Sequence, residues 1–534
     1  MHYNLADLFE SIVDVVPERV ALVVGPQRRT FAQLEERANR LAHHLASQGV
    51  GPGDHVGLYL YNSAEYIEAM FAAFKLRAVP INVNFRYVED ELQYLFRDAD
   101  LMALLHQREF IPRVTAVRER VPKLHHFIAV EDGSGIDLAP LGALSYDEAL
   151  ASASPKRQFG ERSPDDLYII YTGGTTGMPK GVMWRHEDAF FSCLMGANPA
   201  GPPPERAEEV AERAQTKPPL AGMSAAPLIH GAAQLGTMIA MFQGWKAVLV
   251  PRFEPKLVWQ LVSQERPVSI SLVGDAMARP LAAALAERDP EWDLSSLLVL
   301  SSAGAILSQA VKDELKAHLP QLVILDAYGA SETGSQGGDA GGVQATGGIR
   351  FRMNDHTSVL DEELKPIAPG SGRTGRVALR GRIPLGYYGD REKTERTFVV
   401  RDGVRWVLPG DLGRPEADGT VTVFGRGSIC INSGGEKIFP EEVENALKAH
   451  PGVFDAVVVG VPDARWGERV TAIVQTHPGA SPSFEELAGH CRARVAGYKV
   501  PREVHFVDQI VRSPSGKPDY PWAKQFVIDR SAKA

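Results

Sequence analysis

The sequence predicts an α/β protein. It has a large, multi-subdomain amino-terminal domain of parallel α/β layers plus a small β-barrel-like part, followed by a small α+β carboxyl-terminal domain. Three observations predict this. Strand-like and helical patterns alternate along most of the chain; after about residue 345 the pattern turns to short strands with Gly/Pro turns; from about residue 431 a compact α/β pattern begins. Strand–helix alternation implies parallel α/β units. At roughly 100–200 residues per domain, the 534 residues allow several cored units.

The first helix to stand out is "TFAQLEERANRLAHHLASQG". Thr30 and Gln33 have capping-box spacing. Leu34, Ala38, Leu41, Ala42 and Leu45 share one helical face, and Gly49 is the stop. "HVGLYL" follows as a strand, "SAEYIEAMFAAFKLRA" as a helix and "VPINVN" as a strand. Further strands are "AVLVP", "VSISLV", "LLVLSSAG" and "LVILDAYG", with helices between. Beyond 345, "HTSVLDEELKPIAPGSGRTGRVALRG" and "TVTVFGRG" read as short strands. The last unit runs helix "PEEVENALKAH", strands "DAVVVGVP" and "RVTAIVQT", helix "SFEELAGHCRARVA" and strand "EVHFVD". A boundary falls at "GRGS", giving domains 1–425 and 431–534 joined by a hinge at 426–430. The Pro-flanked stretch 198–219, with a charged helical middle, reads as a surface loop or flap.

Composition excludes several classes. A net charge of −9 argues against a general nucleic-acid binder. Cys193, Cys430 and Cys491 show no metal-type or disulfide spacing and read as unreactive thiols of a reducing, cytoplasmic compartment. The acidic residues within the amino-terminal apolar pattern do not suit a signal peptide. No apolar run approaches the roughly 20 residues a membrane span needs, so no integral membrane segment is expected.

The chemistry concentrates in a few stretches. In "YTGGTTGMPKGV", Gly173, Gly174 and Gly177 permit close backbone approach, Thr172, Thr175 and Thr176 supply hydroxyls, and Lys180 supplies a cation. That combination suits a polyphosphate, although an ordinary glycine-rich turn is the competing reading. It is not a Walker A loop, because Pro179 precedes the lysine and Gly181 follows it. "DAYGASETGS" places Tyr328, Ser331 and Glu332 after a strand: an aromatic that can stack on a base, a hydroxyl that can reach phosphate and a carboxylate that can hold Mg²⁺, with an ordinary polar loop at a strand end as the competing reading. Asp411 in "WVLPGDLG" is a ribose acceptor or a turn former. "GRGSICINSGGEK" holds Arg426 and the pair Gly434-Gly435. Lys517, in "RSPSGKPDYPW", is by composition alone a solvated tail charge.

Taken in order, these stretches resemble the adenylate-forming superfamily: acyl-CoA synthetases, adenylation domains of peptide synthetases and firefly-type luciferases. The likeness is greatest to actinobacterial acyl-CoA synthetases of the fatty-acid or steroid side-chain type, on "YTGGTTGMPKGVMWRHED", "VGDAMARPL", "NSGGEKIFPEEVE" and "SPSGKPDYPWAK". The resemblance implies that the small domain is mobile and swings over the large one. It assigns residues 172–180 to the phosphate loop, and Gly304, Ala305, Asp326, Ala327, Tyr328 and Gly329 to adenine binding. Ser331 becomes a phosphate contact, Glu332 the Mg²⁺-associated carboxylate, and Asp411 and Arg426 ribose contacts. Lys517 becomes the catalytic lysine of the first half-reaction. Gly434 and Gly435 would line a pantetheine channel. Ser428, at the hinge, stands where many relatives carry Asp or Lys.

The implied reaction uses ATP, Mg²⁺ and coenzyme A to convert a carboxylic acid to its CoA thioester. An enzyme that loads a separate acyl-carrier protein is the alternative. From Ala221 to Gln243 there is no Asp, Glu, Lys or Arg, so an apolar acid fits better than an amino acid, whose ammonium would need a partner. Gly231, Ala232, Ala233 and Gly236 either leave a wide slot or allow close helix packing. His230 borders the reacting carboxylate or is a structural histidine. The oligomeric state is left open between monomer and homodimer.

Overall fold

The computed structural model describes residues 2–174, 177–287, 292–305, 307–339, 344–345, 348–433, 436–463, 465–513 and 517–531. The sequence assignments at Thr175, Thr176, Gly434 and Gly435 lie outside these residues, as do the side chains of Arg426 and Ser428.

The helix Phe31–Ser47 carries both hydrogen bonds of the expected capping box. The Gln33 amide donates to Thr30 Oγ1 at 3.2 Å, and the Thr30 amide donates to Gln33 Oε1 at 3.0 Å. Its five expected core residues are all buried, and Gly49 follows with φ +87°, where a left-handed stop favours glycine.

The strands form four sheets among the described residues. One is wholly parallel, in the order Val79–Asn82, His55–Tyr59, Leu101–Gln107, His126–Val130, Leu144–Ser145. Helices on its faces bury near-continuous apolar strands, as parallel sheets require. A second sheet carries the parallel run Val20–Val24, Lys246–Leu249, Ala221–Ser224, Ser269–Leu272, Val299–Ser302, Val323–Ala330. From Val323–Ala330 onward the same ladder turns antiparallel, through Gly334–Asp339 and Gly348–Met353 to the strands between Gly375 and Arg426. The β-rich segment after residue 345 is thus hydrogen-bonded into the ladder that holds the parallel strands. In a third, small sheet Gly177–Arg185 pairs on one side with Leu167–Gly174 and on the other with Gly386–Tyr387.

The fourth sheet is the small carboxyl-terminal α+β unit. Val453–Asp463 and Gly467–Thr476 pair antiparallel at its centre, and Glu503–Val507 adds in parallel. The helix Pro440–Lys448 buries Val443, Ala446 and Leu447 against it. Across the segment that links the two units, Phe424 and Phe439 stack with centroids 5.1 Å apart. Gly425 has φ +96°, a backbone conformation that favours glycine at this crossing.

The stretch 198–219 differs from the expected flap. Its helix Glu208–Thr216 buries Val210, Ala211 and Ala214, and Arg19 donates to the Ala214 carbonyl at 2.7 Å. The apolar positions i, i+1 and i+4 gave this helix a face to bury, and the charged and Pro-rich residues around them masked it.

Candidate active site

The glycine-rich stretch is the end of a β-hairpin. Thr172 faces Lys180 and Gly174 faces Gly177 across it. The base of the hairpin is anchored at three points. Asn82 donates to the Tyr171 carbonyl at 2.8 Å and the Ile229 carbonyl at 2.7 Å, and accepts the Tyr171 amide at 2.8 Å. Trp184 donates its indole N–H to the Ser331 carbonyl at 2.9 Å. Tyr387, on the third strand, donates its hydroxyl to Glu332 Oε1 at 2.8 Å. Glu332 is 7% exposed, a burial a carboxylate tolerates when hydrogen-bonded. The Lys180 ammonium forms an ion pair with Asp390, which caps the helix Arg391–Thr397. That hydrogen bond, with the Lys393 amide, holds the Asp390 carboxyl below its ordinary range.

The strand Val323–Ala330 supplies the next wall. The Tyr328 ring lies 5.0 Å from Phe351, and its hydroxyl donates to Asp411 Oδ2 at 2.7 Å. Gly329 passes so close to the next strand that a Cβ would sit 2.0 Å from the Gly334 carbonyl oxygen. The Asp326 side chain pairs with Lys312.

Two cavities meet at these elements. The first, about 520 Å³, is lined by Thr172, His230, Gly304, Ala327 to Ser331 and Lys517, and by an apolar group that includes Ile170, Met195, Leu235 and Ile239. The second, about 250 Å³, is lined by Thr172, Gly304, Ala305, Asp326 to Glu332, Asp411 and Lys517. Lys517 therefore stands on the wall shared by both. Its segment is tied to the small unit: the Ser513 amide donates to the Lys517 carbonyl at 2.9 Å, and Arg512 donates to Asp455 from Nη2 at 2.6 and 2.7 Å and from Nε at 3.1 Å. His230 precedes the helix Gly231–Phe242. Burial, helped by the charges of Lys517 and Arg86, pushes its imidazole down to about 4, so it is neutral at physiological pH.

Most of the residues singled out by sequence therefore converge on these two cavities. Lys180 lines neither; its ammonium is held at Asp390. Arg426 pairs through its backbone with Asp411. Among the described residues no group of three or more His, Cys, Asp or Glu is arranged to hold a metal. Of the carboxylates that line the smaller cavity, Asp326 pairs with Lys312, Asp411 accepts from Tyr328 and Glu332 accepts from Tyr387. Gly231, Ala232, Ala233 and Gly236 all line the larger cavity, and the two glycines are also closely approached: a Cβ on Gly231 would lie 3.1 Å from Ile170, and one on Gly236 3.3 Å from Ser271. Sequence reasoning missed Asn82, Tyr387 and Asp390, which act on residues far along the chain and carry no motif of their own.

The AMP-binding enzyme family model matches residues 9–388, and the model of the AMP-binding enzyme C-terminal domain matches 442–517. The chain belongs to the AMP-binding enzyme family. Among members of this family, it is 50% identical over 536 residues to the medium/long-chain-fatty-acid–CoA/3-oxocholest-4-en-26-oate–CoA ligase of Mycobacterium marinum, covering 99% of this chain and 97% of that one. It is 50% identical over 531 residues to the 3-oxocholest-4-en-26-oate–CoA ligase of Rhodococcus rhodochrous, covering 98% and 96%. In structure this AMP-binding enzyme is similar to the anthranilate CoA ligase AuaEII in complex with anthranoyl-AMP, with a TM-score of 0.86 and 26% identity over 100% of this chain and 98% of that one. The α/β architecture, a large amino-terminal domain and a smaller carboxyl-terminal one, is that of adenylate-forming enzymes. No helix among the described residues is long and apolar enough to cross a membrane.

Proposed function

We propose that this chain is an acyl-CoA ligase for an apolar carboxylic acid, a medium- or long-chain fatty acid or a steroid side-chain acid. One observation carries the reading: Lys517 stands where an apolar cavity meets a cavity furnished with Tyr328, Asp411 and Glu332. The carboxylate of the acid attacks the α-phosphorus of ATP, and the bond to pyrophosphate breaks. Coenzyme A sulfur then attacks the acyl carbon of the adenylate, the bond to AMP breaks, and the thiol proton is lost to solvent.

The first step brings two anions together, so the site must supply positive charge and alignment. Lys517 sits between the acid and the α-phosphate and neutralises the charge developing there. Tyr328 stacks on the adenine while Asp411 and Arg426 hold the ribose hydroxyls. Gly304, Ala305, Asp326, Ala327 and Gly329 form the adenine slot. Ser331, Thr172 and the glycine-rich hairpin (Gly173, Gly174, Thr175, Thr176, Gly177) hold the phosphates, with Lys180 released from Asp390 toward them. Mg²⁺ suits Glu332, since this ion is commonly held by one or two carboxylates plus substrate phosphates; it would neutralise phosphate charge. His230, neutral, borders the carboxylate and fixes its orientation.

The second step needs a thiol path and no cation at the α-phosphate. The small domain, 431–534, turns about the hinge 426–430, withdraws Lys517 and brings Gly434 and Gly435 to the pantetheine. The hinge lies between the two segments matched by the family models, which supports this division. A panel of fatty, steroid side-chain and aromatic acids with ATP and coenzyme A tests the reading. Thioester formation with the apolar acids is expected. Absence of acid-dependent pyrophosphate release across the panel would overturn it, and acyl transfer to a carrier protein in place of coenzyme A would redirect it.

A further inference from the structure

The helix Gly274–Ala286 of the large domain reaches the small domain at two points. Asp275, in its first turn, places Oδ2 3.4 Å from the Lys448 ammonium, and both side chains are only 5% exposed. Arg279, one turn further, lies 3.7 Å from the same oxygen, with its guanidinium 5.4 Å from the centroid of Phe454. Lys448 ends the helix Pro440–Lys448, and Phe454 lies on the strand Val453–Asp463. The other Asp275 oxygen accepts the Ser308 amide at 2.7 Å. The carboxylate is thus fixed from its own domain while Oδ2 faces across the interface. Burial raises its proton affinity, and Lys448, Ser308 and Arg279 together outweigh that and hold it ionised below the ordinary range.

Breaking a buried ion pair is ordinarily expensive because a charge is left uncompensated. Here Asp275 keeps a counter-charge on its own side when the contact opens, Arg279 at 3.7 Å, together with the Ser308 amide. Lys448 ends its helix, where the last carbonyls favour a cation. The contact can therefore open without leaving the carboxylate uncompensated. When it is closed, the same small domain carries Lys517 to the wall between the two cavities.

We propose that Asp275 and Lys448 form a separable interdomain contact that holds the small domain in the orientation presenting Lys517. They are then positioning residues for acyl-adenylate formation and not for thioester formation. This rests on the two-step reading above.

The experiment compares the full-length protein with Lys448→Met, Asp275→Asn, the double variant and Lys448→Arg. Dodecanoate-dependent ATP–pyrophosphate exchange reports the first step, and conversion of supplied dodecanoyl-adenylate and coenzyme A to thioester reports the second. Each single charge-removing variant is expected to lose exchange on the order of tenfold, as loss of one coupled contact does. The second step should change by less than about twofold, since a positioning contact acts on one state only. The double variant should be no worse than the singles, and Lys448→Arg should restore exchange. Amide hydrogen exchange should quicken in 274–286 and 440–448 in Lys448→Met. Equal loss of both steps, additive losses in the double variant, or unchanged amide protection would overturn the proposal. A wild-type protein silent with every acid would sink the functional reading alone; quickened amide exchange in Lys448→Met would then still support the contact.

Discussion

The Tyr328 hydroxyl donates to Asp411 Oδ2 at 2.7 Å while its ring packs 5.0 Å from Phe351. One side chain thus holds a flat face toward the smaller cavity and orients the carboxylate beside it. Tyr328→Phe keeps the face and removes the donor. A hydrogen bond to a charged group is worth about 1.5–3 kcal/mol, and water replaces part of it at this half-open site. The expected result is an apparent KM for ATP raised by roughly tenfold at most, with kcat little changed. Steady-state kinetics at saturating acid checks it; a fall in kcat with KM unmoved would remove Asp411 from nucleotide binding.

Lys517 gives the clearest separation of the two steps. Removing the ammonium with Lys517→Ala strips the charge from the wall shared by the cavities. Preorganised charge at a reacting centre is worth about 10²–10³ in rate, so pyrophosphate exchange should fall by that order. Conversion of supplied acyl-adenylate to thioester should persist. Equal loss of both activities would show that the lysine serves the whole site and not its first step.

Much of the architecture is legible in the sequence because its causes are local. The capping box at Thr30 and Gln33 and the apolar stripe of Leu34, Ala38, Leu41, Ala42 and Leu45 lie within one helix. The strand ends that carry Tyr328 and Asp411 are likewise readable from apolar runs beside glycine. What escaped are the pairings that topology alone creates. Tyr387 reaches Glu332 across 55 positions and Asp390 reaches Lys180 across 210, joined by a strand, Gly386–Tyr387, of two residues. No periodicity marks so short a strand. The glycines of the helix Gly231–Phe242 were legible as small residues but not as contacts, since Ile170 and Ser271 come from other strands.

Those glycines make a packing prediction. A Cβ on Gly231 would sit 3.1 Å from Ile170 Cγ2, and Ile170 also lines the larger cavity. Gly231→Ala should therefore destabilise the fold by about 1–3 kcal/mol, the usual cost of an added methyl in a filled space, and lower the affinity for the acid. Ile170→Val removes Cδ1, which would lie 3.4 Å from that Cβ, and leaves Cγ2 in place, so it should recover a small part of both. Chemical denaturation of the single and double variants measures it. Independent, additive effects would show that the two side chains do not meet.

Stability should depend on pH through buried histidines. His106, His126, His186 and His230 are each pushed down to about 4, in every case first by burial. Their ordinary value is 6.5, so between these limits the unfolded chain binds more protons than the native one. Stability therefore falls as pH drops through 6.5 and the loss levels off below about 4. Glu444 acts in the opposite sense. Burial raises its carboxyl from 4.5 to about 7, so its contribution is present below 4.5 and is lost as pH rises through 7. Near pH 5 the four histidines outnumber this one carboxyl, and the denaturation midpoint should be lower there than at neutral pH. Glu444→Gln keeps an acceptor for the Val458 amide, which Glu444 Oε1 now receives at 2.9 Å. It should raise the midpoint at pH 8 relative to the parent while leaving acid sensitivity intact. A midpoint that does not fall between neutral pH and pH 5 would mean that these imidazoles accept protons in the native state.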